Sequence, residues 1–206
     1  MRPTLRFEKR LWEKGYKLIA GVDEVGRGAL AGPVVAAAVV FPVMRRKVHS
    51  LHDVRDSKLL SANKRELLTP QLRIMSLQWS VGSASPSEIN KFGIVKATFI
   101  AMRRAIKKLK HVEYVLIDAF HIPYVRGLSR KRQLAIVKGD ACCFSIAAAS
   151  ILAKVHRDEC MVKLGKQFPQ YHLERNKGYG TLLHRQALQK FGPQPFHRKI
   201  FISEYI

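Results

Sequence analysis

The chain has 206 residues, of which 47% are hydrophobic and 25% charged, enough for one generous domain with its own core. Its 37 Lys and Arg against 15 Asp and Glu leave a formal net charge of +22, which suits a polyanionic partner and gives affinity without specifying a reaction. No apolar run reaches the ~20 residues of a membrane-spanning helix, Ala29 to Val43 coming nearest. The first residues hold no apolar signal core, and Cys142, Cys143 and Cys160 form no paired framework. The expectation is therefore a cytoplasmic protein without membrane association.

In chain order, Leu18-Ile19-Ala20-Gly21-Val22-Asp23 reads as a short buried strand, and Pro33 to Phe41 as a second, too apolar for an edge facing water. Leu77, Trp79 and Val81 alternate with polar neighbours, as in a half-buried third strand. Ser85-Pro86-Ser87-Glu88 is a helix start, with Ser85 as N-cap and Glu88 closing a capping box. Val95, Phe99, Met102, Ile106 and Leu109 follow as one apolar helical face, opposite a solvated face bearing Lys96, Arg103, Arg104, Lys107 and Lys108. Tyr114 to Ile117 is a fourth strand that delivers Asp118 at its end. Leu134 to Val137 is a fifth, followed by Lys138-Gly139-Asp140. Ile146 to Leu164 is helical, and a last helix near His184 to Phe191 stops at Gly192-Pro193. Three early strands followed by strand–helix alternation predict an α/β sheet of mixed direction covered by helices.

Asp23, Glu24, Asp118 and Asp140 each stand at or just past the carboxyl end of an apolar strand, the edge where open α/β sheets bind ligands. Carboxylates ~4 Å apart repel by roughly 4 kcal/mol per pair at an effective dielectric near 20. A bound cation removes that repulsion, and all-oxygen ligands select Mg2+ or Mn2+ over zinc. Acids at strand ends are also common as caps and turn formers, and the residues alone leave both readings open. Neighbouring side chains on a regular strand point to opposite faces, so Asp23 and Glu24 converge only if the chain turns, which Gly26 and Gly28 allow. His156 with Cys160 has helical metal spacing but no partner motif, and no nucleophile elbow supports a hydrolase triad.

The run Asp23-Glu24-Val25-Gly26-Arg27-Gly28, continued by Leu30-Ala31-Gly32-Pro33, closely resembles the opening of ribonuclease HII. The match goes on through Asp56-Ser57-Lys58, the strand ending in Asp118, Lys138-Gly139-Asp140 and Ser145 to Val155 with Arg157-Asp158. It closes with Asn176-Lys177-Gly178-Tyr179-Gly180-Thr181, His184, Gly192-Pro193 and His197-Arg198. The resemblance implies a ribonuclease H-like mixed sheet flanked by helices. It implies a single domain whose catalytic core spans residues 15–165, followed by a substrate-clamping helical region over 166–206. It further implies a monomeric endonuclease acting on RNA–DNA hybrid and on duplex DNA that contains ribonucleotides, with Mn2+ or Mg2+ as cofactor. Asp23, Glu24, Asp118 and Asp140 would be its metal ligands and catalytic carboxylates. Gly26, Arg27 and Gly28 would meet the ribonucleotide, Tyr179 the sugar beyond the RNA–DNA junction, and Lys58 and Lys154 phosphates. The chain departs from the family pattern after Asp118, where Ala119-Phe120-His121 replaces a usual glycine. It departs again at Leu59, in place of a second lysine, and at Cys142-Cys143, in place of a more polar pair.

Overall fold

The computed structural model describes residues 2–44, 54 and 57–205; Asp56 lies outside them. Five strands form one mixed sheet: β1 (Ile19–Val25), β2 (Val34–Val40), β3 (Gln78–Ala84), β4 (Tyr114–Asp118) and β5 (Gln133–Ile136), in the order β3-β2-β1-β4-β5. β1, β2 and β3 pair antiparallel, whereas β4 and β5 run parallel to β1. This is the mixed sheet the sequence predicts. All seven residues of β2 are buried, as its unbroken apolar run requires for a strand covered on both faces.

Two long helices cover the two faces. On one, α3 (Pro86–Lys108) packs on β1, β2 and β3; on the other, α5 (Phe144–Gln167) packs on β1 and β2. The capping box forms as read: Glu88 N–H donates to Ser85 Oγ at 3.2 Å, and Ser85 N–H donates to Glu88 Oε2 at 2.9 Å. Glu88 also takes two hydrogen bonds from Arg104, which holds its carboxyl down at about 2.

Of the expected apolar face of α3, Met102, Ile106 and Leu109 are buried and Phe99 packs against the same core, but Val95 does not join them. A kink at Gly93 breaks its helical phase, Val95 is exposed, and Ala97, Ala101 and Ala105 meet the sheet beside Met102 and Ile106. Small residues are required there because the helix lies almost on the strand. A Cβ added to Gly82 would stand 2.3 Å from the Ala101 carbonyl oxygen, and Ser80 Oγ donates to the Ala105 carbonyl at 2.6 Å. Consequently Ser80, Gly82 and Ala84 form the buried face of β3. Leu77 and Trp79, expected to face inward, are exposed, with the Arg73 guanidinium 4.5 Å from the Trp79 ring.

Two helices of the N-terminal half carry no expectation from the sequence. In α1 (Arg6–Glu13) the charged residues obscure the apolar stripe, and α2 (Ala62–Met75) holds Pro70 in its interior, ordinarily a breaker. After β5 comes the short α4 (Gly139–Cys142). After α5 the chain forms α6 (Leu173–Asn176), α7 (Leu182–Phe191) and α8 (Lys199–Ile202). These last elements enclose a cluster of Met161, Tyr171, Leu173, Leu188, Phe196 and Ile202 that also takes in Leu30 and Ala31 from the β1–β2 loop. No helix among the described residues is long and apolar enough to cross a membrane.

Candidate active site

Parallel pairing brings the acids together. The register Val22↔Ile117 sets Asp23 beside Asp118 one step further along, at the carboxyl ends of adjacent strands. β5 extends this edge: Asp118 pairs with Ile136, and Gly139 N–H returns to donate to Asp118 Oδ1 at 2.7 Å, which seats Asp140 in α4 close by. Lys138 takes a left-handed conformation (φ 54°) to make that turn.

Asp23 and Glu24 both remain within the strand, so the turn that Gly26 and Gly28 allow does not fall between them. They are nonetheless close enough to act on each other. Burial first, then the Glu24 charge and that of Asp118, push the Asp23 carboxyl well above its ordinary value, against hydrogen bonds from Ser150 and the Glu24 peptide. Burial also raises Glu24, with Asp118 adding to it and Arg27, 3.4 Å away, opposing. Ser150 meets Ser57 at 2.8 Å, so Ser57 and Ser150 form a buried hydroxyl support for Asp23. Sequence reasoning noted both within longer motifs but gave neither a role.

The four acids form a hard, all-oxygen donor set. Glu24 Oε2 is buried without a hydrogen-bond partner among the described residues, an orphaned acceptor that a cation would satisfy. Among those residues no three His, Cys, Asp or Glu side chains are drawn together closely enough to hold a metal, so the acids are adjacent without being closed on one point. The donor chemistry fits a divalent ion. His156 and Cys160, one helical turn apart on α5, gain no third ligand among the described residues.

The Gly26-Arg27-Gly28 loop is built from below. Gly26 has φ +90°, and a Cβ there would stand 2.1 Å from Arg157 Nε; both facts demand glycine. Among the described residues nothing lies within 4 Å of where a Gly28 Cβ would stand, so their packing gives no reason for glycine at that position. Arg157, fully buried, donates to the carbonyls of Ala31, Pro33 and Lys177, and Arg198, also fully buried, donates to those of Arg27 and Gly32. Arg27 lies over the Phe120 ring at 5.2 Å. The loop after Asp118, where the chain departs from the family pattern, keeps a glycine-like shape, since Ala119 adopts φ 63°.

Tyr179 is half-buried, in a loop whose turn is fixed by Asn176, whose Oδ1 accepts from Gly178 N–H at 2.7 Å. The Arg157 guanidinium lies 5.2 Å and the Lys154 ammonium 5.9 Å from its ring centre. Lys154 is mostly buried and donates to Asp158 at 2.7 Å, which Arg65 also approaches at 3.6 Å. Lys58 is exposed, 3.7 Å from Asp140 Oδ2.

Comparison with solved structures identifies the class. The fold matches that of a ribonuclease HII from Archaeoglobus fulgidus, solved in a complex with PCNA, at TM-score 0.73 and 28% identity, covering 88% of this chain and 94% of that one. The molecule is thus an endoribonuclease on a ribonuclease H-like fold. The family model for Ribonuclease HII matches residues 20–204, and the chain belongs to that family. Ribonuclease HII of Thermosynechococcus vestitus is 44% identical over 203 residues, covering 98% of this chain and 92% of that protein. That of Caldanaerobacter subterraneus is 45% identical over 201 residues, covering 97% and 80%.

Proposed function

We propose that the enzyme hydrolyses the RNA strand of RNA–DNA hybrids, including a single ribonucleotide embedded in duplex DNA. It cuts on the 5′ side of the ribonucleotide and leaves 5′-phosphate and 3′-hydroxyl ends, with Mn2+ or Mg2+ held by Asp23, Glu24, Asp118 and Asp140. The observation that carries this reading is the meeting of Asp23, Glu24 and Asp118 at the carboxyl ends of two parallel neighbouring strands, mutually repelling and with a buried orphan oxygen on Glu24. When bound, a divalent cation neutralises these acids, lowers the pKa of a water nucleophile and stabilises the leaving oxygen.

The remaining residues recognise and orient. Backbone amides of Gly26, Arg27 and Gly28 approach the 2′-hydroxyl that distinguishes RNA from DNA, and the space at Gly28, open among the described residues, leaves room for that approach. Tyr179 packs on the following sugar, where a bare C2′ fits and a hydroxyl crowds. Lys58, exposed beside Asp140, reaches a phosphate. Lys154, turned toward Asp158, serves substrate binding by steadying the Tyr179 ring. The helical region over 166–206 clamps the duplex against the core spanning 15–165, and the protein works as a cytoplasmic monomer.

The test is a DNA duplex containing one ribonucleotide, incubated with and without Mg2+ or Mn2+. Cleavage appears only with metal. Asp118→Asn lowers it by more than the roughly 10–100-fold typical of losing an outer-shell partner, with duplex binding retained. Metal-independent cleavage, or an Asp118→Asn variant near wild-type rate, overturns the carboxylate assignment. Duplex binding without any cleavage identifies a non-catalytic binder instead.

A further inference from the structure

We propose that His184 and His197 are positioning residues for Tyr179, forming a one-way hydrogen-bond relay from the Gln194 peptide through both imidazoles to the Tyr179 carbonyl. The relay rests on the reading of Tyr179 as the residue that meets the sugar after the ribonucleotide.

Geometry sets the direction of every proton. Gln194 N–H donates to His197 Nδ1 at 2.9 Å, and a peptide nitrogen can only donate, so that ring nitrogen is bare. A neutral His197 then carries its proton on Nε2, 3.1 Å from Nε2 of His184. His184 Nε2 must accept, which leaves the proton of His184 on Nδ1, 3.0 Å from the Tyr179 carbonyl oxygen. Each link has one donor and one acceptor, and the opposite tautomer of either ring would set two protons or two lone pairs face to face. Protonating either imidazole breaks the chain in the same way. The surroundings keep both neutral: the rings are almost fully buried, Tyr171 and Phe196 pack against His197, and burial pushes His197 down to about 4.

What the relay holds is the distance between two loops. His197 is followed by Arg198, whose guanidinium donates to the Arg27 carbonyl at 2.9 Å, and the same segment pairs with the β1–β2 loop through Ala31. Two consecutive residues therefore fix two recognition elements at once, Arg198 the glycine loop on the ribose and His197, through His184, the Tyr179 loop on the next sugar. Recognition of a ribose followed by a deoxyribose requires those loops at one fixed nucleotide spacing. A loosened relay leaves the catalytic acids untouched and blurs that spacing.

The first measurement needs no variant. Nitrogen-15 shifts of the wild-type imidazoles at neutral pH show His197 with its proton on Nε2 and His184 with its proton on Nδ1. The reversed tautomers, or a charged ring, overturn the relay. The second compares two polar replacements by the ratio of kcat/KM on single-ribonucleotide duplex to that on long RNA–DNA hybrid. His197→Gln keeps a donor at the Nε2 end and holds this ratio within about twofold of wild type, whereas His197→Asn cannot reach His184 and lowers it about tenfold, the scale of one hydrogen bond. Equal ratios for the two variants overturn the relay. Tyr179→Ala serves as the control. If it shifts the ratio and His197→Asn does not, the relay fails and the Tyr179 reading stands. If Tyr179→Ala leaves the ratio unchanged, the Tyr179 reading fails, and with it the positioning role, whatever the tautomers.

Discussion

Asp23 shows how one residue is set for function at the expense of stability. Its folded carboxyl is held above its unfolded value, so its stabilising contribution is present below the unfolded pKa and is lost as pH rises through the folded one. At neutral pH, without metal, Asp23 therefore opposes folding. Asp23→Asn is expected to abolish cleavage yet melt higher than wild type in chelator, by on the order of 2–4 °C, the shift that one kcal/mol makes in a chain of this size. Added Mg2+ or Mn2+ should raise the melting temperature of wild type and leave the variant unmoved. A variant that melts lower in chelator would contradict the strained-acid account. Ala119 carries strain of another kind. A left-handed φ of 63° on an alanine costs about 1–2 kcal/mol relative to glycine, offset in part by the freer unfolded chain that glycine brings. Ala119→Gly is expected to stabilise the protein by roughly 0.5–1 kcal/mol in chemical denaturation, and no gain would place the strain elsewhere.

Among elements, α1 is tied to the site by one buried side chain. Its Glu8 is buried and takes three donors on Oε1: Ser145 N–H at 2.8 Å, Ser145 Oγ at 2.7 Å and Cys143 Sγ at 3.2 Å. This pins α1 to the first turn of α5, the turn that lies against Gly21, two residues before Asp23. Glu8→Ala leaves buried donors unpaired and is expected to cost about 3 kcal/mol, measured as a lowered denaturation midpoint, with Glu8→Gln costing less because it keeps an acceptor. An unchanged midpoint for the alanine variant would show the latch to be idle. The sequence offered no hint of this contact, since an acid in a charged N-terminal stretch reads as solvated. The capping box of α3 was legible by contrast, because Ser85 and Glu88 act within one turn and need no distant partner.

At the scale of the whole molecule, the net charge of +22 sets how the enzyme meets its substrate. Each neutralised phosphate contributes a slope of about −0.9 in log affinity against log salt on B-form DNA. Duplex affinity is expected to fall with a slope of magnitude several units between low and moderate salt, measured with Asp118→Asn to prevent cleavage. A flat response would mean that the basic surface is not the docking face. The same measurement bears on the region over 166–206. Charge reversal at Lys190, exposed on α7, should reduce the slope by about one unit if that region lies along the duplex.

The sequence alone determined what depends on near neighbours and on composition. It carried the buried run of β2, the capping box, the polyanion-seeking charge, the stop at Gly192, and four acids placed at or just past strand ends. These follow from period, local hydrogen bonding and charge, which short stretches carry in full. Only the tertiary structure decided which acids meet. Asp23 and Asp118 are 95 positions apart, and the parallel register of β1 and β4 makes them neighbours. It also decided which face of β3 is buried, because the close approach of α3 admits Ser80, Gly82 and Ala84 and turns Trp79 outward. The supports of the site, Ser57 on Ser150, Arg198 beneath Arg27 and His197 behind His184, were equally hidden. A buried polar group is stable only beside a complementary partner, and that partner can stand anywhere in the chain.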